Sequence, residues 1–235
     1  NMVGPSEELP VILGTSVPVA NNTDLETRGF ELEIGWRDQL KCGFSYGARF
    51  VLSDAQGTIT RYSNPSGTLT KYYKGMKWGE IWGYESLGIA RTQEEMDAHI
   101  ASMPNGGQNV IGLDWRAGDV MYVDRNGDGK VDAGQNTIVD HGDLTVIGNT
   151  TPRYNFGLDL TAEWKGIDLR IFLQGTGKRE YFQNSFYFWG CGHGVWWSMS
   201  LKEHEDYFRD DPNHPLGLNL DAYYPRPIWN TEKNR

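Results

Sequence analysis

The stretch with the clearest chemistry is Asp124-Arg125-Asn126-Gly127-Asp128-Gly129-Lys130-Val131-Asp132, in which oxygen-bearing side chains recur at alternate positions. A hard cation such as Ca²⁺ binds about six to eight oxygens, and an Asp-x-Asn-x-Asp-Gly loop supplies several of them. The spacing therefore predicts a metal loop. The predicted ligands are the side chains of Asp124, Asn126 and Asp128, the carbonyl of Lys130, and a direct or water-bridged carboxylate of Asp132. The alternative is a solvated turn of Asx and Gly residues without an ion.

The acidic residue that usually closes such a loop is not at its usual position. An acidic residue is usual at position 12 of such loops, but Gln135 occupies that position here. A later acid must then bend back toward the loop, and Asp143 or Asp140 is the candidate. Calcium loops of this kind occur in proteins of many functions, so the rest of the chain must define the function.

Composition excludes some classes of function. The chain has 235 residues, which fits one large or two small domains, and its net charge is −9. An acidic chain without a basic face does not neutralise phosphates, so we expect no nucleic-acid partner. Aromatic residues make up 13% of the chain and glycine is frequent, which favours β structure with many turns.

Catalysis is not indicated, and the chain is predicted not to be an enzyme. Its acidic residues lie on polar segments, and none of its histidines has metal-ligand spacing or a nucleophile motif beside it. Cys42 and Cys191 are the two cysteines, too few for a disulfide framework, and we interpret them as unpaired thiols.

Two segments show the alternation of β-hairpins. In residues 28–53, Phe30, Leu32, Ile34 and Trp36 fall on one face, and the pattern resumes after a short turn. Residues 153–174 repeat this design around a two-residue Lys165-Gly166 turn. Because successive strand side chains point to opposite faces, each hairpin has one apolar and one polar face.

The hairpins fit two architectures. Each strand has about the 9–11 residues that a tilted strand needs to cross a bilayer, with aromatic residues at its ends. Short turns within the hairpins and a long connection between them are also typical of a transmembrane barrel. The alternative is a soluble β-sandwich with one buried face. No apolar run in the sequence is long enough for a membrane-spanning helix.

The remaining segments read as connections. Residues 1–27 are expected to be irregular and to come from the interior of a longer protein. Residues 54–152 form a long loop region that contains the calcium-type loop, residues 124–143, and a short helix. Thr92 caps this helix with Glu95 in a capping box, and the helix should end before Pro104. Residues 175–235 form a second, aromatic-rich loop region.

Several segments together resemble the SusC/RagA family of TonB-dependent outer-membrane transporters from Bacteroidetes-type bacteria. They are Thr27-Arg28-Gly29-Phe30-Glu31-Leu32, Gly79-Glu80-Ile81-Trp82-Gly83-Tyr84, Gly118-Asp119-Val120 with Tyr122 to Gly129, Asp143 to Asn149, Thr151 to Gly157, and Gln174 to Arg179. Their order and spacing are similar to the later barrel region of that family, and the residues between Gln135 and Gly142 look like an insertion.

The resemblance implies a mainly β fold, in which this chain supplies antiparallel strands to a transmembrane 22-stranded β-barrel with long extracellular loops. It also implies a SusD-like lipoprotein partner, contact with TonB through N-terminal parts not included here, and import of oligosaccharides or peptides across the bacterial outer membrane. Structural Ca²⁺ is the expected cofactor. The alternative function is a secreted, calcium-stabilised β-sandwich binding module, in which Phe30, Leu32, Ile34 and Trp36 would be buried.

Two further expectations follow. Tyr187, Trp189, Trp196 and Trp197 are candidates for stacking on sugar rings, but loop packing, strand alternation or contact with the lipoprotein is the favoured explanation of such a cluster. In the barrel topology Cys42 and Cys191 lie at opposite ends of the strands, about 30 Å apart. We therefore expect no Cys42–Cys191 disulfide, and a mass change on reduction would contradict that topology.

Overall fold

The computed structural model describes residues 2–5, 19–190, 201–228 and 233–234. Its strands are β1 (Met2–Pro5), β2 (Val19–Gln39), β3 (Ser45–Arg61), β4 (Glu80–Gly83), β5 (Ser86–Ile89), β6 (Val120–Tyr122), β7 (Thr145–Asn149), β8 (Arg153–Trp164) and β9 (Ile167–Lys178). Its helices are α1 (Gln93–Ala101), α2 (Phe186–Trp189) and a 3-10 turn (Lys202–Glu205). None of the helices in these ranges has the length and apolar character needed to cross a bilayer.

The main sheet has five strands in the order β1-β2-β3-β8-β9, and every neighbouring pair is antiparallel. The two predicted hairpins are therefore present, and β3 pairs with β8 to join them into one sheet. The second hairpin turns at Lys165 and Gly166, whose φ angles of 51° and 81° match the left-handed pair that a tight hairpin turn requires. Within the described ranges this sheet is open, with β1 and β9 at its edges.

The strands are longer than the sequence pattern indicated. Residues 19–27, expected to be irregular, belong to β2, and β3 continues to Arg61. The polar residues of this part lack hydrophobic alternation, but their backbone groups pair with β1 and with the extension of β3. Hydrogen bonding across the ladder, which the side-chain pattern does not reveal, extends the strands.

The sheet has one continuous apolar face. Cross-strand pairing places Ile34, Phe50, Leu158 and Leu173 in one row over β2, β3, β8 and β9. The neighbouring rows contain Leu32, Leu52 and Phe156, and Trp36, Ala48, Leu160 and Ile171. The face is exposed: Trp36 retains 67% and Leu173 53% of its accessible surface.

The opposite face of the sheet is polar and carries ion pairs. Arg49 donates to Glu33 on the neighbouring strand with an Nε–Oε1 distance of 2.8 Å. Arg170 donates to Asp159 with an Nε–Oδ1 distance of 2.9 Å. Charges of both signs thus lie across four strands, and all apolar rows lie on the other side.

The chain divides into two compact units. Unit 1 comprises Asn1–Ile81 and Gly148–Tyr181 and contains the main sheet. Unit 2 comprises Trp82–Ile147 and Phe182–Arg235. It contains α1, the short β5–β6 pair and a buried apolar cluster: Ala90, Met96, Met103, Trp115, Met121, Tyr122 and Val131.

Helix α1 forms as its sequence predicts. Thr92 caps it, since its Oγ1 accepts a hydrogen bond from the Glu95 N–H at 3.2 Å. The Glu95 carboxylate accepts from the Arg91 N–H at 2.7 Å, so the capping box closes one residue earlier than its usual form. The helix ends at Ala101, before Pro104, and its Met96 is fully buried in the cluster.

Candidate functional site

The predicted metal loop lies in unit 2, immediately after β6, and is fastened to the segment that follows α1. The Asn105 N–H donates to the Gly129 carbonyl at 2.9 Å, and the Asn105 Nδ2 donates to the Asp128 carbonyl. Next along the chain, the Val131 N–H donates to the Gly107 carbonyl at 2.7 Å. Val131 itself is fully buried, so the single apolar residue of the motif anchors the loop to the core.

The polar side chains of the motif fold back onto the loop's own backbone. The two carboxylate oxygens of Asp124 accept hydrogen bonds from the N–H groups of Gly127, at 2.7 Å, and Gly129, at 2.8 Å. Asn126 accepts from the Asp128 N–H at 2.9 Å, and Asp128 accepts from the Lys130 N–H at 3.1 Å. These successive Asx turns bend the chain into a closed loop.

Gly129 is the position where this loop requires glycine. Its φ of 83° lies in the left-handed region, and a Cβ there would lie 3.2 Å from the Asn105 backbone nitrogen. The close contact between the loop and residue 105 therefore depends on the missing side chain.

Asp143, rather than Asp140, reaches the loop. Its carboxylate is buried and accepts hydrogen bonds from the N–H groups of Arg125 at 2.7 Å, Asn126 at 3.2 Å and Asp132 at 2.8 Å. Asp140 is exposed and packs against the backbone of Gly134 instead. Asp143 is therefore the acid that contacts the loop, and its role as the closing metal ligand stays a prediction.

Lys130 supplies a positive charge inside the loop. Its Nζ contacts the Asp132 carboxylate and lies 3.9 Å from Asp128. The hydrogen bond from Lys130 lowers the pKa of Asp132, and the same bond raises the pKa of Lys130. A cation that used both carboxylates would have to displace this ammonium group.

The donor chemistry of the loop suits a hard cation, because its candidate ligands are all oxygens. In the part of the chain that the structure describes, however, no three His, Cys, Asp or Glu side chains are grouped closely enough to hold a metal ion. The observed hydrogen bonds are those of the solvated-turn alternative. Calcium binding stays a prediction.

The candidate stacking residues lie around α2. Tyr187 is exposed, and Trp189 is partly buried with its ring centroid 4.9 Å from that of Phe188. Trp196 and Trp197 lie outside the described residues, as does Cys191, whereas Cys42 is a free and exposed thiol. The structure adds Tyr223 and Tyr224, 5.0 Å apart, to this cluster. The sequence analysis missed them because they lie more than 30 residues beyond α2.

A buried carboxylate that the sequence analysis did not identify lies at Asp119. It has no exposed surface and accepts hydrogen bonds from Arg226 at 2.9 Å and Asn234 at 2.9 Å. The Lys233 ammonium is 2.8 Å from the same carboxylate and also lies 4.4 Å from the centroid of the Trp115 ring. An acid between Gly118 and Val120 was the available signal, but its partners are more than 100 residues away.

Comparison with known proteins finds similarity to two receptors. No protein-family model matches the chain. TonB-dependent receptor P3 of Formosa agariphila is 23% identical over 181 residues, which cover 72% of this chain and 16% of the receptor. TonB-dependent receptor P39 of the same organism is 24% identical over 186 residues, which cover 68% of this chain and 17% of that receptor. The chain thus spans about a sixth of the length of these relatives.

Both relatives are receptors of one kind, and their similarity extends over most of this chain. The chain is similar to TonB-dependent receptors over about 70% of its length. Its mainly β structure with antiparallel sheets is consistent with this relationship. Both relatives are named as receptors, and neither name is that of an enzyme.

Proposed function

We propose that this chain contributes barrel wall and extracellular loops to a TonB-dependent outer-membrane transporter of the SusC/RagA type. The transporter would import glycans or peptides together with a SusD-like lipoprotein, and TonB would act on it through other parts of the protein. The observation that carries the proposal is the apolar face of the main sheet, which extends without interruption over β2, β3, β8 and β9.

The extent and position of the apolar face of the main sheet favour contact with a lipid bilayer. Apolar patches beyond a few hundred Å² are unusual on proteins surrounded by water, and they mark protein or membrane contacts. In the central part of the sheet the charged side chains of Glu33, Arg49 and Asp159 lie on the other face, as in a barrel with a water-filled interior. Trp36 and Trp164 lie next to the two short turns, where an interfacial aromatic girdle would be.

The β-sandwich alternative fits these observations less well. It requires Phe30, Leu32, Ile34 and Trp36 to be buried under a second sheet. In the structure these side chains retain between 43% and 67% of their accessible surface. The open edge at β9 also favours the barrel, because additional strands of a longer protein would pair with it.

The test uses the intact parent protein in its native cells. We expect it in the outer-membrane fraction, and we expect it to migrate differently on a gel when it is not boiled, because a closed barrel resists detergent. A secreted protein whose migration does not depend on boiling would contradict the proposal and favour the binding module.

The nature of the cargo can be tested at the aromatic cluster. If sugars stack there, Ala substitutions at Trp189, Trp196 and Trp197 should weaken binding of the imported glycan, measured by isothermal titration calorimetry with the purified transporter. An unchanged affinity would remove stacking by these residues and leave packing or lipoprotein contact as their role.

Structural Ca²⁺ in loop 124–143 is part of the proposal, with Asp124, Asn126, Asp128, Lys130, Asp132 and Asp143 as its ligands. The ion would add its binding free energy to the folded loop. Calcium titration of the parent protein should give a heat signal that Asp124→Asn with Asp128→Asn removes. Lys130→Met should tighten binding, since the competing ammonium group is gone. A signal unaffected by the double substitution would place calcium elsewhere.

A further inference from the structure

An apolar loop tip in unit 2 has no cover within the described residues. Ile138 and Val139 are the central residues of a turn, closed where the Thr137 N–H donates to the Asp140 carbonyl at 3.0 Å. The Asp140 N–H in turn donates to the Thr137 Oγ1 at 3.1 Å. Val139 retains 95% of its accessible surface, the largest value among the exposed large hydrophobic residues that the structure describes.

Ile and Val are unusual residues at the centre of an exposed turn, for two reasons. The centre of a tight turn usually contains Gly, Pro, Asn, Asp or Ser, and β-branched residues favour strands. Exposed Ile and Val side chains also gain nothing from water, whereas burying one fully would stabilise an assembly. Departures from local rules of this kind concentrate at functional sites.

The segment that carries the tip is fixed at its base by backbone contacts. The Asp143 N–H donates to the Asp132 carbonyl at 2.8 Å, which ties the two ends of the segment together. Within it, the Asp140 carboxylate packs against the Gly134 backbone so closely that a Cβ at 134 would lie 2.2 Å from its Oδ1. A preorganised tip loses little conformational entropy on binding, which suits insertion into a pocket.

The charges around the tip define its partner. Residues 124–143 contain five Asp against one Arg and one Lys, so the segment stays net negative even when one Ca²⁺ ion is bound to it. Both cations are engaged, since Arg125 pairs with Glu85 at 3.0 Å and Lys130 contacts Asp132. Asp140, next to the tip, is exposed and has no ion pair among the described residues. An anionic membrane surface would be repelled by this loop, and a cationic surface would be attracted.

We propose that the Ile138–Val139 tip inserts into an apolar pocket of a partner protein whose rim carries Lys or Arg side chains. The inference rests on the tip and its charges, and it stands whether or not the chain belongs to a transporter. Fractionation of the parent protein therefore tests the proposed function separately from this contact.

The experiment is photo-crosslinking from the tip in the full-length parent protein, in its native cells. Val139→Cys is labelled with benzophenone maleimide and irradiated, and cross-linked peptides are identified by mass spectrometry. Val110→Cys is the matched control, because Val110 is a 70% exposed valine of the same unit. The unsubstituted protein controls for labelling of Cys42 and Cys191.

We expect position 139, and not position 110, to cross-link one protein at an apolar segment flanked by Lys or Arg. That protein, once purified, should bind Val139→Asp at least about tenfold more weakly than the parent, and Asp140→Lys should also weaken binding. Four outcomes would overturn the proposal: no product, the same products from both positions, cross-links to lipid, or cross-links to a second copy of this chain.

Discussion

The two units of this protein differ in the burial of their apolar side chains and in their net charge. Unit 2 buries an apolar cluster around Met96 and Val131, whereas the sheet of unit 1 displays its apolar rows to the outside. Unit 1 has 13 acidic and 13 basic residues, while unit 2 has 18 acidic and 9 basic, so the net charge of −9 belongs entirely to unit 2.

This difference shows which unit can be stabilised by its own chain. A unit that buries its apolar residues gains the hydrophobic contribution internally, and its excess negative charge suits contact with water and partners. A sheet with an exposed apolar face and open edges gains that contribution only from what surrounds it. Substitutions in unit 2 should therefore change its internal stability, and substitutions in unit 1 should change its assembly.

The largest effect is expected at Asp119 in unit 2. Asp119→Asn leaves the Arg226 and Lys233 charges without their buried partner, which should cost about 3–5 kcal/mol. Hydrogen exchange of unit 2 peptides in the intact parent protein measures this loss. Glu33→Gln in unit 1 is the control, because its ion pair with Arg49 is exposed and should contribute at most about 1 kcal/mol. Equal losses at both positions would remove the distinction between the units.

The next effect tests the apolar face of unit 1. Leu173→Arg and Gln174→Arg place the same charge at adjacent positions of β9, on the apolar and the polar face respectively. If a bilayer covers the apolar face, Leu173→Arg should cost about 2–4 kcal/mol near the membrane centre, whereas Gln174→Arg should be tolerated. The amount of parent protein that reaches the outer membrane in its heat-sensitive form measures both. Equal tolerance of the two charges would argue against lipid on that face.

The smallest effect is the response of unit 2 to acid. Burial by itself would raise the pKa of Asp119, but hydrogen bonds from Arg226, Asn234 and Lys233 outweigh it and hold the pKa below the ordinary value of 3.8. A lowered pKa stabilises the folded state above pH 3.8, and the contribution is lost as pH falls through the folded-state pKa. Protection factors of unit 2 peptides, in which the intrinsic pH dependence of amide exchange is divided out, should therefore fall below about pH 4 in the parent protein. Asp119→Asn should lose that decrease if this carboxyl group causes it.

Much of unit 1 could be predicted from sequence because its information is local. Alternation at Phe30 to Trp36 and the Lys165-Gly166 turn specify a strand and a hairpin within a few residues. The pairing of β3 with β8 could not be predicted in this way, since it joins residues that are about 100 positions apart. Residues 19–27 were missed because backbone pairing, which carries no side-chain pattern, makes them a strand.

The sequence predicted the motif of the candidate site but not the contacts that its residues make. The spacing from Asp124 to Asp132 identified the loop, but the choice of Asp143 over Asp140 depends on how residues 134–142 fold. The sequence signal for Asp119 was an acid between Gly118 and Val120, which does not reveal its partners, and the Ile138–Val139 tip gave no signal. The first depends on partners far along the chain, and the second on the absence of a neighbour.

The short ribbon of β4 and β7 has a consequence for how this protein can vary. It pairs Glu80–Gly83 with Thr145–Asn149, and the Thr150 N–H donates to the Gly79 carbonyl at 2.8 Å beside it. Doubling the length of a flexible, exposed loop costs only about 0.6 kcal/mol. Insertions at exposed turns between residues 84 and 144, away from the buried Met96 and Val131, can therefore be accommodated while the pairing of β4 with β7 stays the same.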